Sequence, residues 1–372
     1  MAHIGIDARL TYYRVGGIST YIRRLIGAFE ALDAAPGGLG HRLTILHSRK
    51  ARERLSARFG AASLWTPAHH RIERLALSVE LARLRLDVLH SPDFIPPLGG
   101  ARRHVITVHD LTFLHEPEHK DAASRRYYND QIQQAVAHAD HILSVSEATR
   151  RDLIDMLNVP ASKISVQPHG VDARYRPLPA KDTAAASDRL GIPAGCVLFV
   201  GTLEPRKNIP ALLDAYAALP ADLRARHPLL LVGRPGWLVD DILRGIDRLR
   251  ASGHTIMHRA DIADADLPAV YNLATALVLP SFYEGFGMPP LEAMACGTPV
   301  IASDNSALPE VVGDAGLLID ADDPATLTAA LQRALTDDSW RSTARERGLQ
   351  RAKLFTWERS ARIALAAYES VL

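Results

Sequence analysis

An α/β protein made of two doubly wound, Rossmann-like domains is predicted by three observations. Short apolar runs alternate with longer helix-periodic stretches from end to end, the signature of parallel sheets wrapped by helices. The chain has 372 residues, more than one core usually organises. Between two series of similar size, the proline-broken stretch Tyr175-Arg176-Pro177-Leu178-Pro179-Ala180 interrupts the pattern and places a boundary near Pro179. The expected domains are residues 1–178 and 179–355, with a terminal helix over 356–372. Ligands of open α/β sheets lie beyond the carboxyl ends of the strands, so a central cleft faced by both domains is the expected site.

The first strand is expected over His3 to Asp7. After it, Arg14-Val15-Gly16-Gly17-Ile18-Ser19 leads into a helix from about Ile18; Gly16 and Gly17 suit either a tight turn or backbone N–H groups presented to a phosphate or sugar. A strand over Leu43 to His47 precedes the basic run Arg49-Lys50-Ala51-Arg52-Glu53-Arg54 with Arg58, read as a solvated helix face in preference to a docking site. Next comes an apolar stripe, Ile72, Leu75, Val79, Ala82 and Leu86, flanked by Arg71, Arg74, Arg83 and Arg85. Packing on the sheet is the favoured reading, contact with a membrane surface the other. Strands over Val88 to His90 and His104 to His109 come next, the latter ending in Val108-His109-Asp110-Leu111 with an imidazole that titrates near neutrality. His141 to Val145 and Ile164 to Gln167 complete the first series.

The second series opens with Val197 to Gly201 and the loop Gly201-Thr202-Leu203-Glu204-Pro205-Arg206-Lys207-Asn208, before a helix from Ile209. Arg206 offers a planar fork and Lys207 a point charge to phosphate oxygens, although surface cations on a loop read the same in isolation. Strands over Leu229 to Val232, Thr255 to His258 and Ala276 to Leu279 lead to Glu284-Gly285-Phe286-Gly287-Met288-Pro289-Pro290-Leu291-Glu292. Its glycines let backbone approach a ligand or take positive φ, and its prolines suit a helix start that attracts anions. Glu284 is expected in the loop and Glu292 in the first helical turn; a capped loop with Glu292 on the helix dipole accounts for the residues equally well. Ala293 to Cys296 then reads as a short helix, Gly297 as its stop, and Val300 to Ala302 and Gly316 to Ile319 as the last strands. Asp264/Asp266 and Asp320/Asp322 precede helix patterns and read as N-caps, not metal ligands.

Composition narrows the classes. Apolar content of 47% and charged content of 23% are those of an ordinary globular protein. A net charge of +1 argues against a general nucleic-acid binder. The balance is uneven: residues 1–180 carry 24 Lys and Arg against 18 Asp and Glu, and residues 181–372 carry 19 against 24. The first half is therefore the candidate face for an anionic partner or a membrane surface. Cys196 and Cys296 have neither metal-ligand nor framework spacing, which fits a reducing compartment. No run reaches the ~18 apolar residues of a membrane span, and the N-terminus starts on a strand pattern instead of a signal peptide. The expected location is cytoplasmic, with peripheral membrane contact as an option.

Taken together, the Glu-x7-Glu stretch within Pro280 to Ile301, Gly16-Gly17, the strand-end His109, Pro168-His169-Gly170-Val171-Asp172 and the Arg206-Lys207 loop resemble the family-4 retaining glycosyltransferases of the GT-B fold. The resemblance spans essentially the whole chain. It implies a nucleotide-sugar donor held by the second domain, a glycan or lipid-linked acceptor held by the first, and a terminal helix that crosses back to the first. It also implies roles for residues. Glu284 would bind donor-sugar hydroxyls, with Phe286, Gly287 and Met288 around them; Glu292 would accept from the ribose diol; Arg206 and Lys207 would bind the pyrophosphate beside Gly201. Gly17 would face it from the first domain, and His109 would sit near the sugar and the attacking hydroxyl. Many relatives read Gly-Arg-Leu-x-x-x-Lys-Gly where this chain has Thr202 and carries an arginine at 206, so Lys207 is the firmer phosphate ligand.

The chemistry implied is metal-free and cofactor-free transfer of a hexose, mannose from GDP-mannose being preferred, with front-face attack and no covalent nucleophile. Helix N-termini and two cations would stabilise the departing nucleoside diphosphate. A nucleotide-sugar epimerase or hydrolase of the same fold and a non-catalytic two-domain sugar-binding protein are the rival readings.

Overall fold

The computed structural model describes residues 1–13, 16–70, 72–115 and 131–372. The chain forms two compact units, Met1–Gly170 with Thr356–Leu372, and Val171–Phe355.

The first unit is built on a seven-stranded, wholly parallel sheet of order β3-β2-β1-β4-β5-β6-β7. Its strands are β1 His3–Asp7, β2 Arg42–Ser48, β3 Gly60–Leu64, β4 Leu86–Ser91, β5 Ala101–Val108, β6 His141–Ser144 and β7 Ile164–Val166. Central strands covered on both faces need continuous apolar runs, and β6 is buried at every position. Strand order reverses between β1 and β4, which places the switch point at Asp7 and Ser91. One strand was not foreseen: β3 reads Gly-Ala-Ala-Ser-Leu, an edge strand with only Leu64 buried, so it has neither an apolar run nor β-branched residues.

Two surface expectations change. Residues 51–54 form no helix, so the basic run is a solvated loop. The Glu73–Ala82 helix turns Glu73, Leu77 and Leu81 inward and leaves Ile72, Leu75, Val79 and Ala82 exposed; of the expected stripe only Leu86 is buried, and it belongs to β4. An inward Glu73 is possible because Arg9 Nη2 meets its Oε1 at 2.6 Å and Asp7 Oδ2 at 2.6 Å. Arg14, Val15 and Arg71 lie outside the described residues.

The terminal helix Trp357–Ser370 belongs to the first unit. Ala361, Ala364, Ala367 and Tyr368 join Ile4, Ile6, Leu25 and Phe29 in one core. Small residues bring it close to the helix Gly17–Ala34, and Tyr368 Oη lies 2.7 Å from His90 Nδ1. Gln167 Nε2 donates to Ser360 O at 3.0 Å.

The second unit carries a six-stranded parallel sheet of order β10-β9-β8-β11-β12-β13. These are β8 Cys196–Val200, β9 Leu229–Val232, β10 Ile256–Arg259, β11 Ala274–Leu279, β12 Val300–Ser303 and β13 Leu317–Ile319. Its first residues precede the proline-broken stretch. Arg174 pairs with Asp264 at 2.6 Å, and Leu178 N donates to Asn272 Oδ1 at 2.9 Å, so this segment packs with the second unit. The unit's two ends meet where Val171 N donates to Phe355 O at 3.1 Å.

Gly170 ends the first unit where a Cβ would lie 2.1 Å from Trp357 N. Gly170→Ala should therefore displace the terminal helix, at a cost of about 1–3 kcal/mol. A thermal melt of the full chain should show a midpoint lower by several degrees; an unchanged midpoint would mean that the helix yields freely.

Candidate active site

Glycine geometry brings two loops of the second unit together. After β8, Gly201 adopts φ +155°, and after β9, Gly233 adopts φ +152° with its Cα so close that a Cβ would stand 1.9 Å from Gly201 O. Leu203 N donates to Arg234 O and Gly236 N to Leu203 O, both at 2.9 Å, which locks the loop that carries the basic residues. Pro205–Lys207 then makes one 3₁₀ turn ahead of the helix Ile209–Ala217.

Glu284 arrives after β11 and lies directly on that turn. Lys207 Nζ donates to its Oε1 at 2.6 Å, Arg206 Nη1 to its Oε2 at 3.0 Å, and Ser281 Oγ to Oε1 at 2.7 Å. Arg206 also donates to Glu204 Oε1 at 2.6 Å and to Tyr283 O at 2.5 Å. Glu204, Lys207 and Glu284 are all buried. Two cations are thus matched by two carboxylates. Burial alone would raise the Glu284 pKa, but Lys207 and Arg206 outweigh it and bring it down to about 2. Burial wins at Glu204, whose pKa is raised despite Arg206 and Lys207.

Gly287, at φ +113°, caps the helix Met288–Cys296, and the prolines occupy its first positions as expected. Phe286 is buried edge-on against Phe355, with ring centres 5.9 Å apart; Met288 is half-buried at the helix start. Glu292 lies beyond the first turn, which contains no acidic residue, so the dipole explanation does not apply. Its environment is aromatic: Tyr271 Oη donates to Oε2 at 2.7 Å, and the Tyr175 ring lies edge-on to that of Tyr271 with centres 5.8 Å apart. Burial raises its pKa to about 7, against the opposing influence of the Tyr271 and Tyr175 hydroxyls and the nearby Arg174.

In the first unit, Gly16 and Gly17 sit at the start of the helix Gly17–Ala34. Gly16 is extended at φ 177°, and among the described residues nothing lies within 4 Å of a Cβ built on either glycine. Neither φ nor a contact with the described residues requires glycine there, so the backbone at both positions has room beside it. His109, just past β5, is half-buried; its Nε2 lies 2.8 Å from Pro92 O, an oxygen that only accepts, so Nε2 carries the proton. Burial lowers its pKa despite that bond and Asp93, leaving a neutral ring with Nδ1 as an acceptor. Tyr21 stands edge-on at 5.0 Å and His169 at 5.6 Å, and Trp357 lies 5.6 Å from His169.

The acidic pairs do not cap as expected. Asp264 and Asp266 pair with Arg174 and Arg189, and Asp323, not Asp320 or Asp322, caps the helix Pro324–Thr336 by accepting from Ala325 N at 2.9 Å. Among the described residues no cluster of three or more metal-ligand side chains forms. Sequence reasoning missed Glu204, Ser281, Tyr175 and Tyr271. Glu204 lay within the basic loop, two residues from its partner Arg206, and Tyr175 lay within the linker, remote in sequence from Tyr271, against whose ring it packs.

Residues 190–351 match the family described as Glycosyl transferases group 1, and residues 15–175 match Glycosyltransferase Family 4. An O-antigen chain mannosyltransferase B of Escherichia coli is 38% identical over 283 residues, covering 76% of this chain and 74% of the relative. The serotype-specific mannosyltransferase WbdA of the same species is 30% identical over 284 residues, covering 75% of this chain but only 35% of that longer protein. In fold, the chain matches Anabaena Alr3699/HepE in complex with UDP-glucose, with a TM-score of 0.75, 18% identity and full coverage of both chains.

The tyrosine cage around Glu292 sets a measurable property. Removing a donor from a carboxylate raises its pKa, so Tyr271→Phe should move the Glu292 titration above about 7. Carbon-detected NMR of the side-chain carboxyl reads this; a midpoint that stays or falls contradicts the assigned hydrogen bond.

Proposed function

This chain belongs to the group 1, family 4 glycosyltransferases, with two parallel-sheet Rossmann-like domains of the GT-B type, and we propose that it transfers mannose from GDP-mannose to a glycan or lipid-linked acceptor with retention of configuration. The mannosyltransferases it resembles support the choice of sugar. The observation that carries the donor reading is Glu284 lying on both Lys207 and Arg206.

A buried carboxylate that neutralises two cations is exchangeable for a diphosphate. When the pyrophosphate takes Lys207 and Arg206, Glu284 becomes free to accept from hydroxyls of the hexose, and the phosphate and sugar ends of the donor are captured together. Glu292 accepts from the ribose diol, which needs the carboxylate form. Leaving-group charge then builds on oxygens already facing Lys207, Arg206 and backbone N–H groups after Gly201, so neither metal nor cofactor is invoked.

The bond from the anomeric carbon to the phosphate oxygen breaks as the acceptor hydroxyl attacks from the same face. The hydroxyl proton goes to the departing phosphate. His109, neutral and with Nε2 committed to Pro92 O, offers Nδ1 to a hydroxyl and orients it.

Three variants test the assignments with purified protein. Glu284→Gln should lower kcat by roughly 10²–10³-fold while nucleoside-diphosphate affinity holds or rises, since the competing charge is gone. Lys207→Ala should weaken that affinity by about tenfold or more; unchanged affinity removes the phosphate site. His109→Ala with normal transfer rates would remove its role.

The Glu292 carboxylate predicts a pH effect of definite sign. Its pKa is raised to about 7, so the carboxylate fraction falls as pH drops through that value. Sugar-nucleotide affinity should decline from pH 8 to pH 6, a trend that Glu292→Gln abolishes; the diester phosphates of a sugar nucleotide do not titrate in that range. A flat profile in the unsubstituted chain contradicts the ribose assignment.

A further inference from the structure

None of the residues assigned to the donor lies on the outward face of the Glu73–Ala82 helix. Ile72, Leu75 and Val79 are 59%, 63% and 79% exposed, while Leu77 and Leu81 opposite them are fully buried. Steps of ~100° per residue put the exposed three on one stripe. Trp65, also exposed, is fixed on one flank: its backbone N donates to Glu80 Oε1 at 2.6 Å, and the Arg49 guanidinium covers its ring at 3.8 Å. Exposed Leu98 lies on the other flank, its N donating to Arg74 O at 3.2 Å. Monomeric surfaces rarely carry such a contiguous patch without a partner.

Charge says which partner. The helix carries two acids, and both are engaged away from the stripe: Glu73 is buried on Arg9, and Glu80 accepts from the backbone of Trp65 and Thr66. Arg83 and Arg85 stand exposed at its C-terminal end. Apolar side chains rimmed by cations, with an interface-favouring tryptophan, match an anionic surface over an apolar interior. A two-fold contact between copies would instead bring each copy's arginines toward their own images. Among the described residues no helix is long and apolar enough to cross a membrane, so the contact is peripheral.

We propose that this face seats the first unit on an anionic lipid bilayer. Leu75 and Val79 enter the boundary between headgroups and acyl chains, Trp65 lies at its level, and Arg83 and Arg85 meet lipid phosphates. The proposal rests on this face alone and stands apart from the donor reading.

Sedimentation with vesicles tests it. The full chain should pellet with phosphatidylcholine vesicles containing phosphatidylglycerol at about 0.1 M salt, less so at about 1 M, and not with phosphatidylcholine alone. Leu75→Ser with Val79→Ser, and separately Arg83→Ser with Arg85→Ser, should each weaken partitioning by roughly tenfold or more, with thermal midpoint and nucleotide affinity unchanged. An unsubstituted chain that stays in the supernatant with anionic vesicles, or variants that partition as it does, overturns the proposal. So does a concentration-dependent dimer that the Leu75→Ser, Val79→Ser variant dissolves while lipid binding is absent.

Discussion

Lys207 and Glu284 are 77 residues apart in sequence and 2.6 Å apart at their charged atoms. That contact joins the loop after β8 to the loop after β11, the two strands flanking the switch point of the second sheet. Leaving one partner of such a buried pair alone typically costs about 3–5 kcal/mol. Arg206 and Glu204 complete a four-charge group that is neutral as it stands. Neutrality lets it be buried, and it also means that an incoming diphosphate has to displace something. Glu284 is the group to be displaced, because it is the one that both cations share.

Three glycines shape the backbone around this group. Gly201, Gly233 and Gly287 all take positive φ, and the first two touch. They place the cations and the helix start without side chains in the way. Glu292, by contrast, is held by Tyr271 and, among the described residues, shares no hydrogen-bond partner with Glu284. Two carboxylates of one motif therefore sit in opposite electrostatic settings, one near 2 and one near 7. Only the second lies within reach of a physiological change in pH.

Much of this was legible in the sequence, for definite reasons. Strands covered on both faces read as apolar runs, and Leu229–Val232 was placed to the residue. Edge strand Gly60–Leu64 was invisible because it is neither apolar nor β-branched. The Glu73–Ala82 helix was misread because both its faces carry apolar residues, and the inward one includes a glutamate whose partner, Arg9, lies 64 residues away. Glu284, Lys207 and Arg206 were recognisable as chemistry. That they neutralise one another was not, since residue types at a spacing do not state which charges meet. Tyr175 was hidden for the same reason inside a segment that looked like a linker.

Donor capture turns on one exchange at Lys207, and a crystal structure with a sugar nucleotide bound tests it most directly. Lys207 Nζ should lie on a diphosphate oxygen and Glu284 on a hexose hydroxyl, with their 2.6 Å contact gone. A diphosphate bound elsewhere, with that contact intact, would contradict it.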